Sequence, residues 1–229
     1  MDGIILKKIV VDGALIKYEF QCKGIIQDYF STNEMFIQYE SDMSSVPESI
    51  LAIPFVACVL PLMWLTDTVL WVDKIDRTFY EALSRIKEAY RNLYNHCSLK
   101  GNFVAARFED NQYVPENENI LLFSGGMDAH TTYIRIHDTK PMLLNIQGRY
   151  GNLNQKRKDA AADFRDIDKF ASENGLKRHF VKSNFAKLVR AEVFDKRLKP
   201  ILKDGWWHGF LHSMAFISTA NLNSESVVT

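Results

Sequence analysis

The sequence predicts an α/β protein with a parallel sheet in its C-terminal half, preceded by a smaller, β-rich α+β part. Three observations carry that expectation. Short apolar runs at 119–123, 141–146 and 179–181 alternate with helical patterns, the grammar of a parallel sheet with crossover helices. The first forty residues read as strands around a turn signal, Asp12-Gly13. The chain has 229 residues, enough to bury a proper core. We therefore expect an accessory part at 1–110, a linker at 111–118 containing Pro115, and a ligand-binding part at 119–229.

In the first part, Ile4 to Val11 and Ala14 to Cys22 flank the Asp12-Gly13 turn, where glycine tolerates positive φ. Met35 to Tyr39 suits a third strand, and the serine-rich stretch Ser41 to Ser49 suits a loop. Ile53 to Val72 is apolar enough to resemble a membrane span. It contains Pro54, Pro61 and Asp67, and a carboxylate inside a span is costly. The expectation is a short buried helix followed by the strand Thr68 to Val72. From Asp76 to Asn95, Phe79, Leu83, Ile86, Tyr90 and Leu93 recur at helical spacing, an amphipathic helix.

In the second part, the strand Asn119 to Phe123 enters a tight loop, Ser124 to Asp128, and Ala129 to His137 can continue as a helix. Pro141 to Ile146 is a second buried strand. Gln155 to Asn174 reads as a long helix stopped by Gly175. His179 to Val181 forms a third strand, and Phe185 to Leu198 and Trp207 to Ala220 suit two further helices.

The composition is that of an ordinary globular chain, and the formal net charge is zero. Residues 1–118 carry 11 Lys and Arg against 17 Asp and Glu, a net −6, and residues 119–229 a net +6. No general attraction to nucleic acid or to a membrane is implied, while a basic C-terminal half suits an anionic ligand. Cys22, Cys58 and Cys97 are scattered, without the paired spacing of a disulfide frame or a zinc cluster. Reduced thiols and an acidic start (Met1-Asp2-Gly3) lead to an expected cytoplasmic location.

The chemistry concentrates in Ser124-Gly125-Gly126-Met127-Asp128. Two glycines let the backbone turn sharply and approach a ligand, and the loop amides with the following helix start form an anion nest. Ser124 adds a hydroxyl donor. Asp128 can cap the helix or hold Mg²⁺ beside phosphates. The same residues also suit an ordinary strand-to-helix turn.

Phe123-Ser124-Gly125-Gly126-Met127-Asp128 resembles the Ser-Gly-Gly-x-Asp-Ser signature of the PP-loop ATP pyrophosphatases, and is similar to the loop of 7-cyano-7-deazaguanine synthase-like proteins. The resemblance covers about residues 119–220, and the loop is its one sharp motif. It implies a HUP-type (Rossmann-like) sheet, ATP and Mg²⁺ as ligands, and cleavage of ATP to an adenylated substrate and pyrophosphate. Carried over by position, Ser124, Gly125, Gly126 and Met127 would hold the pyrophosphate. Asp128 would sit beside it or its metal, with Ser124 and Asp128 serving catalysis. Thr131 and Thr132 fall where the family places hydroxyls, and Asn145-Ile146-Gln147 where its backbone meets the adenosine.

Three departures follow. Ala129 replaces the second serine, which bears on turnover more than on binding. No cysteine follows Cys97, so the deazaguanine synthases' zinc site is not expected. A complete PP-loop sheet has further parallel strands after the third; without them the loop-bearing strand would lie at an exposed edge, a liability. The expectation is an incomplete sheet in a truncated chain or a fragment.

Trp207 and His208 suit a planar or acyl substrate, or simple packing. His208 and His212, four apart, could share a helical face, but no third metal ligand accompanies them. Ser183-Asn184, at the end of the third strand, could cap the next helix, or Asn184 touch substrate. His130, Arg149 and the basic run Lys156 to Lys158 could meet phosphate or lie on the surface. The resulting expectation is an enzyme that adenylates a small-molecule carboxylate, with a homo-oligomer left open. The alternatives are a nucleotide-binding sensor or scaffold subunit without turnover and, more narrowly, adenylation of a cell-wall precursor carboxylate.

Overall fold

A computed structural model describes residues 2–112, 119–150 and 158–220. The core of the expected linker, the basic residues Lys156 and Arg157, and the tail after Ala220 lie outside them. Eight strands form one mixed sheet: β1 (Gly3–Asp12), β2 (Leu15–Lys23), β3 (Glu34–Gln38), β4 (Val69–Asp76), β5 (Asn102–Glu109), β6 (Ile120–Leu122), β7 (Met142–Gln147) and β8 (Arg178–Ser183). Their spatial order is β5-β4-β1-β2-β3-β8-β7-β6. The helices are α1 (Glu48–Thr66), α2 (Arg77–Leu93), α3 (Met127–Ile136), α4 (Lys158–Asn174), α5 (Ala191–Arg197), α6 (Lys199–Leu202) and α7 (His212–Ala220).

The α/β class is therefore observed, but the expected accessory and ligand-binding parts share one sheet. β3 pairs antiparallel with β8 through Ile37 and Ser183, which closes the seam. Ser183 Oγ donates to the Phe36 carbonyl at 2.6 Å, and Asn184 Oδ1 accepts from the Phe36 amide at 2.9 Å. The main hydrophobic cluster also draws on both halves, from Ile4 and Phe55 to Val181 and Ala215.

α1 occupies the centre of that cluster. It is longer than the short helix expected, and Pro54 and Pro61 lie inside it. Each proline removes a helical hydrogen bond, at a cost of roughly 3 kcal/mol. Burial of every residue from Ser49 to Trp64 outweighs that cost. α1 is apolar and long enough to cross a membrane by composition alone, but 89% of its apolar window is buried inside the protein.

The hairpin turns one residue later than expected: Asp12 pairs with Leu15, and Gly13 carries φ +55°. β5 was not anticipated. It pairs parallel with β4 at an edge of the sheet and leaves Val104 and Phe108 exposed, so its apolar residues fall on both faces and do not spell out a buried one. The amphipathic helix appears as α2, capped by buried Asp76, whose Oδ1 accepts from the Phe79 amide at 2.8 Å.

In the second half, β6, β7 and β8 are parallel as expected, in the spatial order third-second-first. β6, which bears the glycine loop, is the outermost strand on its side. Leu121, Leu143 and Phe180 pack with Ile167 and Ala171 of α4, while Leu144, Ile146 and Val181 join the main cluster on the other face. The helix expected from Phe185 to Leu198 is broken. Ser183 Oγ accepts from the Phe185 amide at 3.1 Å and opens a single turn, and α5 starts only at Ala191. Trp206–Leu211 is a π-helical stretch feeding α7, a form common beside functional sites.

Candidate functional site

Parallel pairing places the ends of β6, β7 and β8 on one edge of the sheet, where open α/β sheets bind ligands. β6 delivers Ser124 to Asp128 there, all exposed. Gly125 holds φ +76°, a region that only glycine enters without strain. Gly126 is the N-cap of α3, and its amide donates to Ser124 Oγ at 3.3 Å. The amides of Gly125, Met127, Asp128 and Ala129 donate to nothing among the described residues. The helix-start amides point out of the N-terminus, where the dipole favours an anion.

The loop is anchored from behind. Asn145, buried in β7, donates from Nδ2 to the Phe123 carbonyl at 2.9 Å, and its Oδ1 accepts from Gln147 Nε2 at 3.0 Å. Half-buried His130 brings Nδ1 within 3.0 Å of the Gly126 carbonyl, and its ring meets Phe123 and Phe170 edge-on at 4.9 Å. We expect Asn145→Ala to lower stability by about 2 kcal/mol, because it strands a loop carbonyl, and to weaken any loop-bound ligand. Paired thermal melts and ligand titrations would check this; a variant as stable as the parent would refute the anchor.

Among the described residues, the backbone of Ile146 has no partner on the loop side. The Met142 amide bonds to Asn119 and the Leu144 carbonyl to Phe123, whereas the Leu143 amide faces β8. By that alternation, the N–H and C=O of Ile146 point toward β6, which has already turned away at Phe123. They border a cavity of about 380 Å³ lined by Leu122, Phe123, Ser124, Leu144 to Gln147, Asp163, His212, Ser213, Phe216 and Ile217. A second cavity of about 290 Å³ lies across Ser124, edged by Asp163, Asp166, Lys169, Glu173 and His130.

The expected site residues divide. Ser124, Asn145, Ile146 and Gln147 line the larger cavity, and Ser124 and Gly125 the smaller. Met127, Asp128 and Thr131 are exposed on the first turns of α3 and line neither. Thr132 Oγ1 donates to the Asp128 carbonyl at 2.9 Å, a bond within the helix. Ala129 is buried against Leu121 and Phe123. Asn184 is committed to β3: besides accepting from Phe36 it donates to the Glu34 carbonyl at 3.1 Å, so it neither caps a helix nor reaches the cavity. Trp207 lies behind His212, ring centroids 5.4 Å apart, and His208 is exposed outside the cavity lining. No group of three His, Cys, Asp or Glu side chains suited to a metal occurs among the described residues.

His212, Ser213, Phe216, Ile217 and Asp163 are the cavity residues that the loop signature did not indicate. They come from α7 and α4, and only the fold brings them to the loop. Partial desolvation of the surface-exposed His212 imidazole holds it below its usual pKa of 6.5, helped by the charges of His208 and Arg149. The unfolded chain therefore binds that proton more readily, so this group subtracts stability as pH falls through 6.5 toward the folded value and has no effect above it. Urea unfolding of the parent and His212→Gln across that window should show a flatter acid limb for the variant.

No protein family, curated protein or solved structure matches the chain.

Proposed function

We propose that this protein binds ATP, with the pyrophosphate on Ser124–Asp128 and the base against Ile146, and uses it to adenylate a small carboxylic acid. The observation that carries the reading is the glycine loop at the carboxyl end of β6, with the amides of Gly125, Met127, Asp128 and Ala129 unpaired among the described residues, beside a cavity lined by Ser124 and by Ile146 of β7. A peptide N–H beside a C=O complements the acceptor–donor edge of adenine, and the apolar walls Leu122, Ile146 and Phe216 suit its faces.

In the proposed reaction, a carboxylate oxygen attacks the α-phosphorus in line. The bond to the bridging oxygen breaks, and pyrophosphate leaves onto the loop amides. The acyl adenylate then passes its acyl group to ammonia or another nucleophile, releasing AMP. The protein's part is to position the reactants and neutralise charge. Asp128 would help hold Mg²⁺, which would otherwise be carried by phosphate oxygens and water, as is usual for this ion. The HUP-type fold belongs to the same proposal; the third-second-first order of β8, β7 and β6 agrees with the half of such a sheet that ends at the loop-bearing strand. A cytoplasmic setting, with ATP at hand and the three thiols free, accords with it.

A second reading, a nucleotide sensor or scaffold without turnover, is favoured by one feature. Ala129 offers buried carbon where the resemblance has a hydroxyl. Incubating the protein with radiolabelled ATP, Mg²⁺, a panel of carboxylic acids and hydroxylamine as acceptor separates the two. Adenylation yields AMP, pyrophosphate and a hydroxamate; a pure binder returns ATP unchanged; failure to retain ATP at all would reject both.

A further inference from the structure

At the end of β7, Arg149 lays its guanidinium over Trp207, 4.8 Å from the ring centroid. Phe185 stacks parallel to the same ring at 6.4 Å and 7°, and His212 meets it edge-on at 5.4 Å. His212 in turn packs against Phe216 at 4.7 Å, and both line the larger cavity. A guanidinium stacked on an aromatic face keeps its N–H donors directed outward in its own plane, in the fork that matches a carboxylate. None of those donors has a partner among the described residues, and no acidic side chain there pairs with Arg149 or His212. His208 adds a further basic group close enough to act on His212. The acidic group of the cavity, Asp163, is shared with the cleft on the other side of Ser124. Ser124 of the loop and His212 both line this cavity, and Arg149 stands beside His212 on the shared Trp207 ring, outside the lining itself.

We propose that the Arg149–His212 corner is the acid-binding subsite, in which Arg149 grips the carboxylate of a co-substrate whose flat or apolar body lies against Phe216. This deepens the adenylation reading and rests on it for the identity of the other ligand. Trp207 is a positioning residue: it is covered by Phe185 and Arg149, and acts by holding the guanidinium in place. That accounts for an aromatic residue beside the cavity that does not itself line it.

The test uses the whole chain with benzoate as the acid probe and benzamide as its neutral twin, followed through the isotope-labelled Arg Nε–H and His ring resonances. α,β-Methylene ATP with Mg²⁺ is titrated separately. Benzoate should shift the Arg149 and His212 signals saturably, and benzamide should not. Arg149→Gln should weaken benzoate by about tenfold or more, and Arg149→Lys, which keeps charge without the fork, should fall between, with nucleotide affinity changed less than about twofold. Arg149 is exposed, so an unaltered melting temperature will show that the variants fold. Equal responses to benzoate and benzamide, or benzoate binding indifferent to Arg149→Gln, would overturn the subsite. Arg149-dependent benzoate binding in a protein that ignores the nucleotide would leave the subsite standing and remove the ATP reading. Nucleotide binding without any benzoate response would do the reverse.

Discussion

Replacing Gly125 with Val is expected to reduce affinity for α,β-methylene ATP by about 100-fold or more while moving the melting temperature by only a few degrees. The two effects separate for a structural reason. Gly125 sits at φ +76° with open space where a Cβ would project, so no protein atom is displaced by a larger side chain. The cost is backbone strain, of order 1–2 kcal/mol and greater for a β-branched residue. An exposed loop escapes such strain by changing conformation, which swings away the amides that the proposal assigns to phosphate.

Gly126→Ala makes the complementary measurement. That residue has φ −81°, an angle any residue adopts, and its added methyl would meet only Ser124 Oγ at an ordinary 3.4 Å. A fall in affinity there reports a ligand occupying the space of the methyl and not a distorted loop. Ser124→Ala, which removes one hydroxyl, should cost less than either glycine variant, about three- to tenfold. Calorimetric titration of the three variants beside the parent decides the matter. Parental affinity in both glycine variants would place the nucleotide elsewhere or nowhere.

How far the sequence could be read depended on whether the cause was local. The Ser124–Asp128 turn was legible because two adjacent glycines after a strand state a backbone requirement, met by the positive φ at Gly125. The amphipathic helix from Asp76 was legible for the same reason: a 3.6-residue period is a property of a short window. The extent of α1 was not, because its prolines argue locally against a helix and only burial on every side reverses the outcome. β5 was hidden by its exposure. Of the Ser183-Asn184 pair, Ser183 takes the capping role by accepting from the Phe185 amide, whereas the partners of the Asn184 amide, Glu34 and Phe36, lie about 150 residues earlier, across a sheet seam that nothing in its own neighbourhood announces. The α7 wall of the cavity escaped in the same way. In this chain the loop is a local fact, and the pocket it faces is a tertiary one.

That tertiary dependence makes Phe185→Ala the largest expected loss of stability. The ring is fully buried at the end of β8, stacked on Trp207 and edge-on to Phe216 at 5.7 Å. The site of a Cβ on Gly148 lies within contact distance of its far edge. Truncation removes the transfer energy of the ring and leaves a void, about 3–5 kcal/mol together, or about 10 °C in melting temperature for a chain this size. It should also release Trp207, and with it the stacked Arg149, so benzoate binding should fall in parallel. Gly148→Ala perturbs the same contact with the opposite sign, pushing a methyl into a ring that has nowhere to move, at a cost of about 1–3 kcal/mol. In the double variant the methyl enters the space that the ring vacated. The combined loss should therefore be smaller than the two single losses added, by about 1 kcal/mol, when unfolding is followed in urea. Strict additivity would mean that Gly148 and Phe185 do not share a contact, and the aromatic support proposed for Arg149 would lose its base.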